Sequence, residues 1–445
     1  MTVKPLTPIL RDASAETNRL EAEDRPAHDW YRFVLSFPPH LVRSYLSRFE
    51  ITEKGTVLDP FAGTGTTVVE CKKRCFQSVG VEAHPMSHFA AETKTNWRVP
   101  PDRLRSTARD ISDEALSILE TSGVIDDPLL LRRRRSPADP QSLRGLPPAT
   151  AKLLLTNSIS PLPLHKVLVL LDCITRRSTP ELAGPLRLAV ARELVSSISN
   201  LRFGPEVGIG PAKEDAPVIS VWLSRVRRMA DDLEQLGSQA EVPCKIHHGD
   251  SRKIPELLEA SSIDAVITSP PYPNEKDYTR TTRLETVLLG LATTKAELQA
   301  LKRGMLLRSN TRNVYKGDDD DRWVVDHPEV QRVAADIEAR RIELGKTSGF
   351  ERLYARVTKL YFGGMARHLA ELRIALRPGA RLAYVVGDQA SYLRVMIRTG
   401  QILASIAEQL GYTVDAIDLF RTRQATATRT QLREEIVVLR WPGPK

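Results

Sequence analysis

Residues 57–67 (VLDPFAGTGTT) constrain the fold more than any other stretch of the chain. An apolar run ending in an acid leads into Gly-x-Gly and small hydroxyl residues. A buried parallel strand needs that pattern where it opens onto a tight turn that lets a ligand approach the backbone. A second apolar run at 264–268 (DAVIT) breaks into Ser-Pro-Pro-Tyr at 269–272. Two prolines fix φ and remove two N–H donors, so the carbonyls and the tyrosine ring are held rigidly at a strand end. Either string alone is a modest signal, because Gly-x-Gly turns and proline turns are common. On two strands that share one sheet they form a strong pair.

Around these strings the periodicity is that of an α/β chain. A strand at 57–59, the glycine loop, a helix over 66–74 and a strand over 78–82 make one βαβ unit. Residues 1–27 are polar and read as an arm. A helix from Pro38 or Pro39 places Leu41, Val42, Tyr45, Leu46 and Phe49 on one face. Between 98 and 245 the alternation stops. Helical periodicity recurs at 116–119, 162–174, 186–198 and 218–236, with proline-rich breaks and a basic run at 132–135. Residues 200–210 (NLRFGPEVGIG) are too glycine-rich for either regular structure. Strands resume at 245–249 and 263–268, and a charged, irregular insert covers about 303–350. A helix over 351–376 then turns through Arg377-Pro378-Gly379 into a strand over 380–387, followed by a helix over 399–410 and strands near 413–420 and 434–441. The expected organisation is 1–97 as the arm and first part of a sheet domain, 98–245 as a mostly helical insertion, and 246–445 as its second part.

At these residues the chain resembles the S-adenosylmethionine-dependent amino-methyltransferases that modify exocyclic amines of DNA bases. Asp59-Pro60-Phe61-Ala62-Gly63-Thr64-Gly65-Thr66 resembles that family's cofactor motif. Thr268-Ser269-Pro270-Pro271-Tyr272 resembles its catalytic motif, in the Ser form typical of cytosine-N4 enzymes; adenine-N6 enzymes more often carry Asp or Asn there. The resemblance is good over about 55–98 and 245–300, loose in the C-terminal third and nearly absent between. It implies a Rossmann-like, seven-stranded methyltransferase sheet interrupted by the helical insertion, with S-adenosylmethionine as cofactor.

The residues suit such a ligand. Gly63 and Gly65 permit close backbone approach beside Phe61 and Thr64, and Thr66 opens a helix whose N-terminal amides accept a carboxylate. Asp59 is expected to pair with the methionine ammonium, and Glu82, 17 residues past Gly65, with the ribose hydroxyls. Asp250, in His248-Gly249-Asp250, resembles the family's acid that accepts a hydrogen bond from adenine N6; an acid at a strand end is otherwise often a helix cap. An exocyclic amine is a poor nucleophile because its lone pair is delocalised into the ring. The Ser269 hydroxyl and the Pro270 carbonyl are suitable acceptors for its N–H groups, Pro271 stiffens the loop, and Tyr272 can stack on a base taken out of the duplex. Asn274 and Tyr278 are expected to shape the pocket, with Arg283 pairing with an acid. Phe37-Pro38-Pro39-His40 stands where the family has a segment that closes over the methionine end. Arg421, Arg423 and Arg429 (FRTRQATATR) form a basic loop before the last strand, to be weighed as a phosphate contact against a solvated loop.

Charge narrows the partner class. The net charge is +9, and residues 351–445 hold 15 Lys/Arg against 8 Asp/Glu, whereas 98–245 hold 21 against 18. The C-terminal third is therefore the better candidate for a nucleic-acid face. Four cysteines make no disulfide framework and no metal site is expected: Cys71 and Cys75 at i, i+4 suit one buried helix face, and a reducing cytoplasm is the default. No run approaches the ~18 apolar residues of a membrane helix. The leading expectation is a bacterial, cytoplasmic and nucleoid-associated DNA cytosine-N4 methyltransferase. It belongs either to a restriction–modification pair with a cognate restriction endonuclease or to a solitary modifier. Adenine-N6 in DNA, RNA amines, and an inactive DNA-binding relative are the alternatives. Target sequence and oligomeric state stay open.

Overall fold

The computed structural model describes residues 20–32, 36–52, 54–127, 139–203, 206–274, 277–304, 308–424 and 431–444. Seven strands form one sheet: β1 (Thr56–Asp59), β2 (Gln77–Glu82), β5 (Cys244–His248), β6 (Ile263–Thr268), β7 (Leu376–Gly387), β8 (Thr413–Gln424) and β9 (Gln431–Arg440). Their order is β5-β2-β1-β6-β7-β9-β8. The first five pair in parallel, and β9 runs antiparallel between β7 and β8. Chain progression reverses between β1 and β6, so the loops that leave their C-terminal ends diverge and open a crevice. Both sequence strings sit at that reversal.

The alternation of strand side chains separates two cores. Val57, Ala265, Ala383, Val385 and Ile436 face helix Pro39–Arg48. Their neighbours Leu58, Val266, Leu382, Tyr384 and Val437 face helices Tyr354–Leu372 and Thr399–Gln409 on the opposite side. Near-continuous apolar runs follow from burial on both faces.

A third core belongs to the insertion between β2 and β5. Helices Pro101–Thr121, Pro161–Arg177, Pro180–Glu193 and Ile219–Leu236 bring in Leu104, Leu170, Leu186 and Trp222. Met86 and Ala90 of helix Pro85–Thr95, with Trp30 and Tyr31, join the same cluster, so this core is continuous with the sheet domain's own helices. Buried Asp126 accepts from the backbone N–H groups of Val218, Ile219 and Ser220 at 2.8, 2.9 and 3.2 Å and so caps the last of these helices. The cap is 92 residues before the first amide it serves, which no local pattern reveals.

Three expectations need correction. Residues 200–210 hold a two-stranded hairpin, β3 (Leu201–Phe203) and β4 (Val207–Ile209), rather than an irregular loop. Its glycine content has a packing cause, since a Cβ on Gly210 would lie 2.9 Å from Arg202 Cγ. The turn expected at 377–379 is a bulge within β7, where the pairing jumps from Ile263↔Leu376 to Ala265↔Arg381, and the helix before it ends at Leu372. The end of the supposed arm is packed in: Asp24 receives Arg43 at 2.6 Å and His28 bonds Glu70 at 2.8 Å, all but Arg43 buried. The basic run at 132–135 lies outside the described residues.

Candidate active site

Where β1 ends, the chain turns through Gly63 (φ 53°) and Gly65 (φ 87°), both in the left-handed region, and enters helix Thr66–Lys73. At Gly65 a Cβ would also stand 3.2 Å from the backbone of Ala91, so helix Pro85–Thr95 closes over it. At Gly63 the space is open, with Phe61 O at 4.0 Å. The loop is anchored by backbone bonds, Ala62 N–H to Val81 O at 3.0 Å and Gly65 N–H to Ala62 O at 2.8 Å. It is also held from beneath: the buried Lys94 ammonium donates to Thr64 O at 2.7 Å and Tyr31 O at 3.3 Å, and burial lowers its pKa to about 7.

Glu82, at the end of β2, accepts from Gly63 N–H at 2.7 Å and from His84 N–H at 2.6 Å. Burial raises its pKa to about 7, against the pull of those two amides. Asp59 is fully buried. Its Oδ1 accepts from Thr268 Oγ1 at 2.5 Å and Phe61 N–H at 3.1 Å, which joins the two strand ends. Burial lifts its pKa to about 6, the hydroxyl bonds opposing. Asp59 Oδ2 and the buried His84 Nδ1 have no hydrogen-bond partner among the described residues.

A cavity of about 240 Å³ lies between the two loops. Phe61, Gly63, Thr64, Thr66 and Glu82 form one wall; Ser269, Pro270, Pro271, Tyr272, Asn274 and Tyr278 form the facing one. Ser269 Oγ donates to Val385 O at 3.2 Å, so its lone pairs remain as acceptors. Burial, with Glu434 nearby, holds the Tyr272 phenol well above its ordinary range.

Not every expected residue is there. Asp59 and Gly65 lie behind the wall. Asp250 is not on it either: Arg252 chelates its carboxylate, with Nη2 at 2.8 Å, and reaches Asp320 on its other side. Arg283 donates to the carbonyls of Thr279 and Leu153 at 3.1 Å each, and among the described residues no carboxylate lies within ion-pair distance of it, though Asp277 acts on its charge. Asp277 caps the short helix Tyr278–Thr281 and pairs with Lys302 at 3.2 Å. Arg421 and Arg423 belong to β8, paired with Glu434 and Leu432 of β9, and both reach the cavity. Arg429 lies outside the described residues.

Other wall residues had weaker signals or none. Phe37 and Pro38 come from the Phe-Pro-Pro segment weighed in the sequence. His84, two residues past Glu82, follows from β2 ending there. Ser309 and Asn313 come from the charged insert, and Glu434 from β9; nothing local marks them.

A sheet of this order, with one antiparallel strand and a glycine loop and acid at its first two strand ends, is consistent with a Rossmann-like methyltransferase. Residues 12–92 match the family model of N6/N4 DNA methylases. The chain is 23% identical over 463 residues to the type II methyltransferase M.BsoBI of Geobacillus stearothermophilus, covering 95% of this chain and 86% of that protein. It is 24% identical over 451 residues to the type II methyltransferase M.AvaI of Nostoc sp., covering 94% and 87%. Among solved structures, TrmN from Thermus thermophilus aligns with 94% of this chain and 52% of that one, at a TM-score of 0.30 and 10% identity. The chain is a DNA methyltransferase of the N4/N6 family, and its cofactor is S-adenosylmethionine.

Proposed function

We propose that the protein transfers a methyl group to the N4 amine of cytosine in DNA, with the target base taken out of the duplex into this cavity. One observation carries the proposal: Ser269 spends its proton on Val385 O, leaving an oxygen acceptor on the wall facing the glycine loop. An amine with delocalised electrons needs such an acceptor. Bonds from its two N–H groups to Ser269 Oγ and Pro270 O localise the lone pair and take up positive charge as the N–C bond forms. The nitrogen then releases one proton to solvent. A hydroxyl at 269, where adenine-N6 enzymes more often have Asp or Asn, supports cytosine. Tyr272 stacks on the base.

The residues present fit the cofactor. Glu82, with lone pairs left after its two amide bonds, would hold the ribose hydroxyls. The glycine loop would seat the methionine end, with Asp59 Oδ2 as the acceptor behind it. When bound, the cofactor supplies an electrophilic methyl on sulfur.

We read the insertion as the part that selects the DNA sequence. It bonds the segment that follows the catalytic motif, through Arg283 to Leu153 O at 3.1 Å and Thr150 to Thr293 O at 3.3 Å. The type II relatives point to a restriction–modification setting with a cognate endonuclease as partner. The experiment is mass spectrometry of nucleosides from DNA of cells expressing the protein, with RNA analysed in parallel. N4-methylcytosine in DNA supports the proposal; N6-methyladenine alone, or modification confined to RNA, contradicts it.

A further inference from the structure

The β8–β9 side of the cavity carries three charged side chains, Arg421, Arg423 and Glu434, and they are not equivalent. Glu434 is 10% exposed. A Cβ on Gly387 would stand 3.0 Å from Tyr272 Cε2 and 3.5 Å from Glu434 Cγ, so the carboxylate stem and the tyrosine ring flank one glycine. Arg421 donates through Nε to Glu434 Oε2 at 2.6 Å from a side chain 26% exposed. Its two Nη groups have no protein acceptor among the described residues. Arg423 is 45% exposed and stands 3.6 Å from the other carboxylate oxygen.

This arrangement does two things to Arg421. The Nε bond, with the Phe420 ring centroid 5.4 Å from Cζ, fixes the guanidinium and leaves the Nη donors for an acceptor in the cavity. The close buried carboxylate also matches its charge, which makes it a poor anchor for a phosphate and a good directed donor. Arg423, more exposed and farther from the shared carboxylate, is the more weakly paired of the two.

We propose that Arg421 reads the ring edge of the extruded base and selects cytosine over adenine; this rests on the reading of the cavity as an amine methyltransferase site. Beside its N4 amine cytosine presents two adjacent acceptors, N3 and O2. Beside its N6 amine adenine presents N1 and then a C–H. With the amine on Ser269 and Pro270 O, both Nη groups of Arg421 find acceptors on cytosine. On adenine one donor faces a C–H while shielded from water, and its hydrogen bond is lost. Arg423 contacts backbone phosphate, which positions DNA without reading the base.

The test measures kcat/KM on oligonucleotides with cytosine or adenine at the same target position, for the wild type, Arg421→Gln, Arg421→Lys and Arg423→Gln. Cofactor affinity reports on folding. Both Arg421 variants are expected to lower the cytosine-to-adenine ratio about tenfold to a hundredfold. Arg421→Lys, which keeps the charge but lacks the fork, is expected to leave the salt dependence of DNA binding unchanged. Arg423→Gln is expected to keep the ratio and reduce the salt slope by about one. A target analogue that keeps the amine and N3 but lacks the O2 carbonyl is expected to slow the wild type by the same factor, with no change to the protein. An unchanged ratio in both Arg421 variants, or full selectivity in Arg421→Lys, overturns the proposal. The wild-type product tests the underlying reading separately: N6-methyladenine overturns that reading, whereas N4-methylcytosine with unchanged variant ratios overturns only the role of Arg421.

Discussion

The two walls of the cavity are built in different ways. The wall of Gly63, Thr64 and Glu82 comes from two neighbouring strand ends and is held by backbone amides, at 2.7 Å to Glu82 and 3.0 Å from Ala62 to Val81. The wall around Tyr272 gathers residues 269–272 with Asn274 and Tyr278, Ser309 and Asn313, and Arg421, Arg423 and Glu434, fixed by side chains such as Arg421 on Glu434. Backbone anchoring makes the first wall rigid and local. Side-chain anchoring makes the second one adjustable without rebuilding the sheet. One fold can therefore keep its cofactor and vary its target.

If the walls are separable, substitutions on one should leave the other's ligand alone. The largest effect is expected for Tyr272→Ala, which loses the stacking surface and the packing against Gly387. Turnover should fall on the order of 10³-fold, with Ser269→Ala on the order of 10²-fold. Calorimetric titration should find wild-type cofactor affinity in both; a parallel loss of cofactor binding would break the separation. Glu82→Ala should act in the opposite sense. It weakens cofactor binding by about 10²-fold through two lost charge-assisted bonds, while DNA binding in a gel-shift assay stays as it was.

How much of each wall the sequence showed follows from the same contrast. Gly63, Glu82, Ser269 and Tyr272 are legible because a turn, a strand end and a proline pair each leave a local trace. Glu434 and Asn313 leave none, since they reach the cavity only through pairing with β7 and β8 or through the charged insert's course. Asp250 shows what a strand-end acid does not reveal: Arg252, two residues on, bonds its carboxylate, and it lies off the cavity wall. The hairpin at 201–209 was hidden because glycine signals a loop locally, whereas here Gly210 makes room for Arg202 across the pair. The buried strands, by contrast, were readable because burial on both faces leaves near-continuous apolar runs.

The cofactor wall also has a pH signature. Glu82 titrates near 7 in the free protein because it is buried. If the ribose needs the carboxylate, affinity should be level above pH 7 and fall by about tenfold per unit below it. Glu82→Gln should bind weakly with no such slope. Calorimetry between pH 5.5 and about pH 8.5 checks this, and a wild-type profile as flat as the variant's would remove Glu82 from the wall's chemistry. The two glycines touch stability rather than either ligand. Both have positive φ, so alanine costs each about 1–2 kcal/mol in stability. Gly65→Ala should cost about 1–3 kcal/mol more, because its Cβ meets Ala91. Denaturant titration compares them; equal losses would mean that helix Pro85–Thr95 gives way.

The most direct test is a crystal structure with a non-reactive S-adenosylmethionine analogue bound. The two-wall account predicts ribose hydroxyls on Glu82, the amino-acid end in the glycine loop, and the transferable position facing Ser269 and Pro270 across the cavity. An analogue seated elsewhere, or with its transferable position turned from Ser269, contradicts it.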